Sequence, residues 1–482
     1  MSLSVSSTAA MRFGYGLRQS EASIAGPDEL LAQVERGAAE APLFPQEGIA
    51  GRREQVVRYR ANTQELAARK KRGEPTEEQS RSLNKEAAAH FRRDAEARIS
   101  QAVLSHNGFH ERLSSFWTNH FAIDASKSQM MRLAVPMFEA EVIRPLLSGR
   151  FSDLVRTVSL HPAMLLYLDQ FQSIGPNSVM GLQRGKGINE NFARELIELH
   201  TLGVAGGYSQ DDVRQAAYVL SGLTLDLESM EVGFRPRRAE PGIFSVLGNT
   251  YGGEKRLIED CLDLIDDLSV HPSTAKHVCR KLAKHFVSDE PPQALVDAMV
   301  AAWIGSDGYL MQVYKALLDH PAAWEKPSAK IKLPFDYVVS SLRAFDVDEA
   351  IMLSAATRTD ASAFDRMMMD TEPKPMQAGS AVTVRTGPNV LRRMGQQIWM
   401  PPSPAGFEDD SVSWMNANQL TERISWARRL ASNLGKDRDP REFAKAVLAD
   451  AARDETMKIV GQAPSKAVGV TLVLASPEFN RR

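Results

Sequence analysis

The sequence contains very little cysteine, since only Cys261 and Cys279 occur in 482 residues. Two cysteines are too few for a disulfide framework or a cysteine-rich zinc site in a chain of this length. No stretch approaches about 18 uninterrupted apolar residues, and the N-terminus lacks a basic segment followed by an apolar run. We therefore expect a soluble protein without a membrane span, cytoplasmic as the sequence stands and periplasmic if an export signal has been trimmed.

The sequence also lacks an excess of charge of either sign. Its 58 basic and 60 acidic side chains nearly cancel, so the overall charge gives no reason to expect a nucleic-acid partner. Absent as well are the GxSxG elbow, the P-loop, the HExxH motif and a dinucleotide-binding fingerprint after a strand. The common hydrolase, NTPase and dehydrogenase classes therefore lose their usual sequence support.

Helical spacing of apolar residues is the dominant pattern that is present. Apolar residues recur three and four positions apart in several segments: PDELLAQVERGAAEA, RLAVPMFEAEVIRPLL, RLIEDCLDLIDDL, STAKHVCRKLAKHFV and QALVDAMVAAWI. Hydrophobic residues make up 43% of the chain and charged residues 24%, which is typical of a globular protein. The sequence predicts a mainly α fold, a large multi-helix bundle-like array in one unit over residues 1–482.

Three segments depart from this pattern. Residues 51–100 are rich in charge and predict one or two long helices with solvated faces, divided near Gly73 and Pro75. Residues 231–253 carry glycines, prolines and β-favouring residues, which predict an irregular loop or a small β-hairpin. Residues 400–414 are too proline-rich for a helix interior. Long non-helical excursions often carry a site, so the last two segments are candidate site positions.

The densest polar segment contains the run NENFARELIELHTLG. At about 100° per residue, Glu195 and Glu198 share one face of a helix. Asn191 and Leu202 are predicted on the same face, whereas His200 is predicted on the apolar face. Two carboxylates one turn apart repel each other unless a cation, a shared proton or an arginine offsets the repulsion. Glu195 and Glu198 are therefore the best candidate carboxylate pair in the chain.

This polar block admits two interpretations. In the functional one, Glu195 and Glu198 bind a divalent metal ion or act as an acid/base pair, since carboxylates on bundle helices commonly ligate metals. In the structural one, Arg194 pairs with Glu190 or Glu198 at four-residue spacing in an ion-pair network. His200 is then a packed core histidine. Asn189, Glu190, Asn191, Arg194 and His200 complete the set of polar site candidates.

His120 and Asp169 are the predicted partners of the two glutamates in a metal site. A helix through SHNGFHERLSSFWTNHFAID places His110 and His120 on one face but about 15 Å apart, so one ion cannot bind both. His120 therefore needs partners from another helix. Asp169 follows an apolar helix and is expected near the start of the carboxylate helix, with a cap or turn role as the alternative.

The segment HVCRKLAKHF contains three further residues that can bind metals. His277 and Cys279 point about 200° apart on a helix, which argues against a shared metal ion. We assign these two residues and His285 to packing.

Taken in order, eleven motifs resemble the domain of unknown function 1800 family. They are RFGYG, FWTNHF, MLLYLD, NENFARELIELHTLG, GGYSQDDV, SGLT, VCRKLAKHFVSDEPP, KLPFDYVVSSLRAF, LRRMGQQIWMPPSPAGFEDD, WMNANQLTERI and SPEFNRR. The resemblance implies a bacterial helical protein, often exported. It also implies a partner protein of the domain of unknown function 1501 family, whose genes commonly lie beside those of this family. After Phe234 the family usually has a histidine followed by an acidic residue, where this sequence has Ala239 and Glu240.

Two functions follow as hypotheses, and fold kinship does not choose between them. The favoured one is a protein-binding or scaffold partner, which predicts that cations saturate the carboxylates, that no cleft is present and that a complementary protein exists. The alternative is a metal-assisted enzyme, hydrolytic or oxidative, with a carboxylate/histidine pocket. It predicts that Glu195 and Glu198 converge with His120, Asp169 or Asn191 at metal-ligand distances.

Overall fold

A computed structural model of the chain describes residues 3–185, 187–325, 330–347, 349–350, 352 and 388–482. Twenty-two α-helices and four short strands lie in these residues, so the fold is mainly α as predicted. The helices before the strands are α1 Val5–Thr8, α2 Pro27–Ala39, α3 Gly48–Lys71, α4 Glu77–Leu104, α5 Gly108–His120, α6 Gln129–Phe138, α7 Phe151–Ser159, α8 Pro162–Tyr167, α9 Val179–Arg184, α10 Asn191–Glu195 and α11 Gln210–Leu220.

The second half of the chain is again helical. Its helices are α12 Ile258–Val270, α13 Pro272–Phe286, α14 Gln293–Gly305, α15 Leu310–Asp319, α16 Pro334–Ala344, α17 Pro388–Arg393, α18 Ala417–Leu434, α19 Pro440–Leu448, α20 Asp454–Gly461, α21 Lys466–Ala475 and α22 Pro477–Asn480. Buried apolar residues from Ala9 to Phe479 belong to one contiguous hydrophobic cluster. Among the described residues, no helix combines the length and the apolarity that crossing a bilayer requires.

The charged segment forms α3 and α4, which are separated where Gly73 and Pro75 interrupt the pattern, as predicted. Most side chains of α3 are exposed or half-buried, whereas α4 buries its second half. Arg52 of α3 is completely buried, and its Nη1 lies 2.6 Å from Asp94 Oδ2 of α4. A buried charge needs such a partner, and this pair joins the two long helices.

Two small antiparallel sheets follow α11. Strand β1, Leu223–Leu225, pairs with β2, Val232–Phe234, and β3, Gly242–Val246, pairs with β4, Asn249–Gly253. The second pair is a tight hairpin whose central residues Leu247 and Gly248 both have positive φ, 52° and 86°, as a two-residue type I′ turn requires. The prediction for residues 231–253 is confirmed, although β1 begins before that segment.

The carboxylate segment is not one regular α-helix. The α10 helix ends at Glu195, and a π-helical turn over Leu196–Thr201 continues it. This turn changes the angular spacing of the following side chains. His200 is buried, as predicted, and Leu202 is buried as well. A single wide turn of this kind is common at functional sites but leaves no simple sequence signal.

Candidate functional site

A cavity of about 210 Å³ lies between five helices and a long non-helical segment. The helices are α4, α5, α6, α13 and α16. The segment comprises residues 396–409 and is called the cover segment here. The side chains that matter most for its chemistry are those of Arg98, His120, Lys281, Lys284, His285 and Asp409. We call this space the lysine cavity.

Helix α13 supplies a polar stripe to the cavity. Its start is well defined, because Pro272 occupies the first turn and the His271 ring accepts a hydrogen bond from the backbone N–H of Ser273 at 3.1 Å. Lys281, Lys284 and His285 line the cavity from this helix. Residues three and four positions apart lie on the same side of an α-helix, so one helix face presents all three groups.

Lys281 is a partly buried cation of the cavity wall. Its ammonium group donates a hydrogen bond to Nδ1 of His120 at 3.0 Å. Within the described ranges neither Lys281 nor Lys284 forms an ion pair with a carboxylate. Burial lowers the pKa of Lys281 to about 8, although the negative charges of Asp409 and Glu408 oppose this shift. A lysine whose pKa is lowered towards neutral pH by burial is a common feature of catalytic and ligand-binding sites.

The His120 ring is held in one tautomer by its two neighbours. Its Nε2 lies 3.1 Å from the backbone oxygen of His200, which can only accept, so Nε2 carries the hydrogen. Nδ1 is therefore the lone-pair atom and faces Lys281. Burial, followed by the charge of Lys281, lowers the pKa of His120 well below its usual value. The imidazole is thus a neutral acceptor beside the amine.

His285 is also fixed as a neutral ring, with the opposite tautomer. Arg112 donates from Nη2 to His285 Nε2 at 3.2 Å, so Nδ1 carries the hydrogen and donates to Asp409 Oδ2 at 3.0 Å. Burial lowers the pKa of His285 to about 4 despite the adjacent carboxylate. A second proton on Nε2 would point at the positively charged guanidinium of Arg112, and this repulsion also lowers the pKa of His285.

Asp409 and Asp336 lie in a buried ionic network behind His285. Arg482 contacts both carboxylates, Asp336 at 2.6 Å and Asp409 at 2.9 Å, and Arg112 contacts Asp336 at 2.7 Å. Lys330 lies 3.6 Å from Asp409. Burial alone would raise the pKa of the Asp409 carboxyl, but His285 and these cations hold it well below its usual range. Both carboxylates are therefore already neutralised by protein cations.

The remaining wall is largely apolar and aromatic. Phe116, Phe121, Phe138, Phe335, Trp399 and Phe407 all line the cavity. Arg98 lies over the rings of Phe335 and Trp399 at 4.8 and 5.5 Å, and its charge is met by Glu139 at 2.8 Å. Arg98 thus contributes a flat, paired cation and not a free charge.

The cover segment is fixed to α5 by a pair of hydrogen bonds. The Asn119 amide donates to the backbone oxygen of Phe407 at 2.9 Å and accepts from the Phe407 N–H at 2.7 Å. Gly406 has φ of 86°, and a Cβ atom there would overlap the backbone oxygen of Asn119. The close approach of these two backbone segments requires glycine at position 406. The prediction of an irregular segment is confirmed for residues 400–411, whereas Val412–Trp414 form a short 3-10 turn, and residues 401–409 line the candidate site in part.

A family model matches nearly the whole chain. It is the model of the DUF1800 family, described as a protein of unknown function, and it matches residues 8–481. The chain belongs to the DUF1800 family. Neither a curated protein nor a solved structure matches it.

In this DUF1800 chain the polar block of α10 forms an ion-pair network outside the cavity. Arg194 lies 3.2 Å from Glu198 and 3.5 Å from Glu190. Glu195 forms no ion pair with any described residue, and burial together with the charge of Glu198 raises its pKa. Arg194 therefore saturates one member of the predicted carboxylate pair and leaves the other unpaired.

The other predicted residues have separate partners in this DUF1800 chain. Asp169 lies in the left-handed region with φ of 57° and contacts Lys127 at 2.8 Å. The Asn189 side chain donates to the backbone oxygens of Leu168 and Asp169, both at 3.1 Å, so Asp169 does lie near the start of α10. The backbone N–H of Asn191 donates to Asn189 Oδ1 at 3.0 Å. Asp169 directly precedes a short 3-10 turn over Gln170–Gln172, but its side chain makes no capping hydrogen bond to that turn.

No group of three or more His, Cys, Asp or Glu side chains in the described part of the chain is placed to hold a metal ion. His120 instead contacts Lys281 and the backbone of His200. The geometry therefore gives no support to a metal ion shared by Glu195, Glu198, His120 and Asp169, and that site stays a prediction.

The loop that departs from the family pattern is also structural. Glu240 is buried, and its carboxylate accepts from the Asn177 side chain at 2.5 Å and from the Asn177 backbone N–H at 2.9 Å. Ala239 is buried against Gly222. Glu240 therefore joins this loop to the turn at Asn177, and Ala239 packs beside Gly222.

Sequence reasoning missed Lys281 and Lys284, and it assigned His285 to packing alone. A usable signal was present, because 277, 281, 284 and 285 lie on one side of this helix, between its exposed face and its apolar face. What the sequence could not show is that residues 396–409 form the cavity wall beside this stripe.

Proposed function

We propose that the protein binds a small organic anion with an apolar body in the lysine cavity. The observation that carries this proposal is that Lys281 and Lys284 line the cavity without an ion pair to any described carboxylate. Buried or half-buried charges usually have partners, so two unpaired ammonium groups facing one cavity favour a ligand that brings a negative charge. The scaffold hypothesis predicted that no cleft is present. The lysine cavity departs from that prediction, and we propose a small-molecule binding function for it.

The acidic residues of the cavity wall do not supply that charge. Asp336 and Asp409 are engaged by Arg112, Arg482 and Lys330, as described above. Glu408 also lines the cavity, but it is exposed, so water screens its attraction for the lysines. A carboxylate or another anion inside the cavity would meet the two lysines without this screening.

The cavity also indicates the size and body of the ligand. An engineered cavity of about 150 Å³ admits benzene, so a cavity of the present volume has room for roughly eight to ten non-hydrogen atoms. Six aromatic rings in the wall favour an apolar or aromatic body. Benzoate has the required charge, size and ring, and it is the probe we choose.

Isothermal titration calorimetry with benzoate and with the neutral benzamide tests the proposal. Wild-type protein should bind benzoate more tightly than benzamide. Because one charge-assisted contact is lost, Lys284→Met should weaken benzoate binding about tenfold or more. Lys276→Met, which changes an exposed lysine of the same helix, is the matched control and should bind as wild type. No benzoate binding to the wild type, or equal binding of both probes, would contradict the proposal.

A divalent metal ion at Glu195 and Glu198 remains the alternative function, as part of a metal-assisted enzyme. It is supported by the unpaired, half-buried Glu195 beside the carboxylate of Glu198. Metal analysis of protein purified without chelator should then show near-stoichiometric metal that a Glu195→Gln, Glu198→Gln double variant loses. Metal in neither protein would remove this alternative.

The scaffold hypothesis is supported by Arg194, which pairs with Glu190 and Glu198 as that hypothesis expects. Its predicted partner, a protein of the domain of unknown function 1501 family, is tested by co-expression and co-purification of the two proteins.

Cell fractionation of the native organism distinguishes the cytoplasmic from the periplasmic expectation.

A further inference from the structure

Lys281 differs from the other cavity cations in what surrounds its amine. Three neutral histidine rings lie within range of its charge: His120 on α5, His200 at the π-helical turn and His277 on its own helix. The charge of Lys281 contributes to a lowered pKa in all three. The remaining charged neighbours are Lys284 on the same helix and Asp409 and Glu408 on the cover segment. Asp409 and Glu408 favour the ammonium ion, but burial outweighs them and makes the neutral amine accessible.

The contact with His120 also orients the amine. Because Nδ1 of His120 is the lone-pair atom, the Lys281 nitrogen gives it a hydrogen at 3.0 Å. A neutral amine that donates one hydrogen to a fixed acceptor has its own lone pair directed elsewhere. Lys281 lines the cavity, so that lone pair is available to a molecule inside it.

We infer that Lys281 is a nucleophilic amine that condenses with an aldehyde or ketone bound in the lysine cavity. This inference rests on the proposed binding function and names a substrate class for the same site. The nitrogen lone pair forms a bond to the carbonyl carbon, the C=O π bond opens, and a proton passes from nitrogen to oxygen to give a carbinolamine. Loss of this hydroxyl with a second nitrogen proton gives water and a C=N bond. No oxidant or reductant is consumed.

Reductive trapping with benzaldehyde and sodium cyanoborohydride at pH 7 tests the inference on the full chain. Hydride adds to the imine carbon, and the resulting benzylamine is located by peptide mapping. At pH 7 an ordinary lysine amine is almost wholly protonated, so we expect Lys281 to be labelled about tenfold faster or more than exposed lysines such as Lys276. Lys281→Met should remove this fast labelling, and excess benzoate should slow it in the wild type.

The outcomes separate the two proposals. Benzoate binding by calorimetry together with slow or absent labelling of Lys281 would overturn the inference and leave the binding function standing. Absence of both would overturn both. Fast labelling of Lys281 that benzoate does not slow would contradict a shared site. If Lys281→Met does not fold, the peptide map of the wild type still decides, because the comparison with Lys276 is made within one molecule.

Discussion

The Nζ atom of Lys281 lies 3.0 Å from Nδ1 of His120, although 161 positions separate these residues in the chain. The contact joins α13 to the last residue of α5 at the wall of the lysine cavity. The backbone oxygen of His200 completes it by fixing the tautomer of His120. Three distant segments thus define the environment of one amine.

If His120 accepts a hydrogen from Lys281, its removal should change the titration of the amine. His120→Leu deletes the acceptor that stabilises the ammonium form, so the pH midpoint of benzaldehyde labelling at Lys281 should fall below about 8. His120→Asn carries an amide oxygen near the position of Nδ1 and should restore the midpoint. An unchanged midpoint in His120→Leu would mean that the ring only packs against its neighbours.

The close contact of the cover segment with α5 predicts a strong effect of Gly406→Ala. A Cβ atom there meets the Asn119 backbone oxygen, and overpacking of this kind costs about 1–3 kcal/mol beyond the strain of positive φ. Gly48→Ala is the matched control, because Gly48 also has positive φ but no atom within 4 Å of the added Cβ. Urea unfolding of the two variants measures the difference. Equal losses of unfolding free energy would show that the clash is relieved without cost.

Buried neutral histidines predict a loss of stability in mild acid. Burial lowers the pKa of His110, His277 and His285 to about 4 and that of His200 to about 3. The unfolded chain binds these protons near pH 6.5 and the folded chain does not. The unfolding free energy should therefore fall as pH decreases from about 6.5 to about 4, by up to about 1.4 kcal/mol per pH unit for each such histidine.

Denaturant titrations at a series of pH values measure this dependence. A flat profile between pH 6.5 and 5 would show that the buried rings accept protons in the folded state. It would also contradict the single neutral tautomers assigned to His120 and His285.

The same substitution at two arginines should have unequal consequences. Arg112 is buried and contacts Asp336 and His285, so Arg112→Met should cost about 3–5 kcal/mol of unfolding free energy. Arg194 is partly exposed at its contacts with Glu190 and Glu198, so Arg194→Met should cost less than about 1 kcal/mol. Chemical denaturation of both variants checks the contrast. A large loss in Arg194→Met would mean that the polar block of α10 stabilises the fold more than its exposure indicates.

Local pattern predicted the helical fold well because amphipathic spacing is a property of short segments. The segment PDELLAQVERGAAEA forms α2, and the interruption at Gly73 and Pro75 separates α3 from α4. Regular helical geometry does not fix the face on which Leu202 lies, because a π-helical turn over Leu196–Thr201 precedes it.

The site was harder to predict because its parts are distant in sequence. His120 was predicted to need a partner from another helix, and the structure supplies Lys281. The residue type of that partner did not follow from spacing, because a lysine on α13 gains its significance only when residues 396–409 form a cavity with it. Glu195 and Glu198 were prominent as a local pair, yet the cavity is lined by other residues.

A crystal structure of the full chain soaked with benzoate tests the central claim most directly. The account predicts the benzoate ring between the aromatic side chains of the lysine cavity and its carboxylate within hydrogen-bond distance of Lys281 or Lys284. Benzoate found only on the outer surface, with the cavity holding water alone, would contradict the proposed binding function.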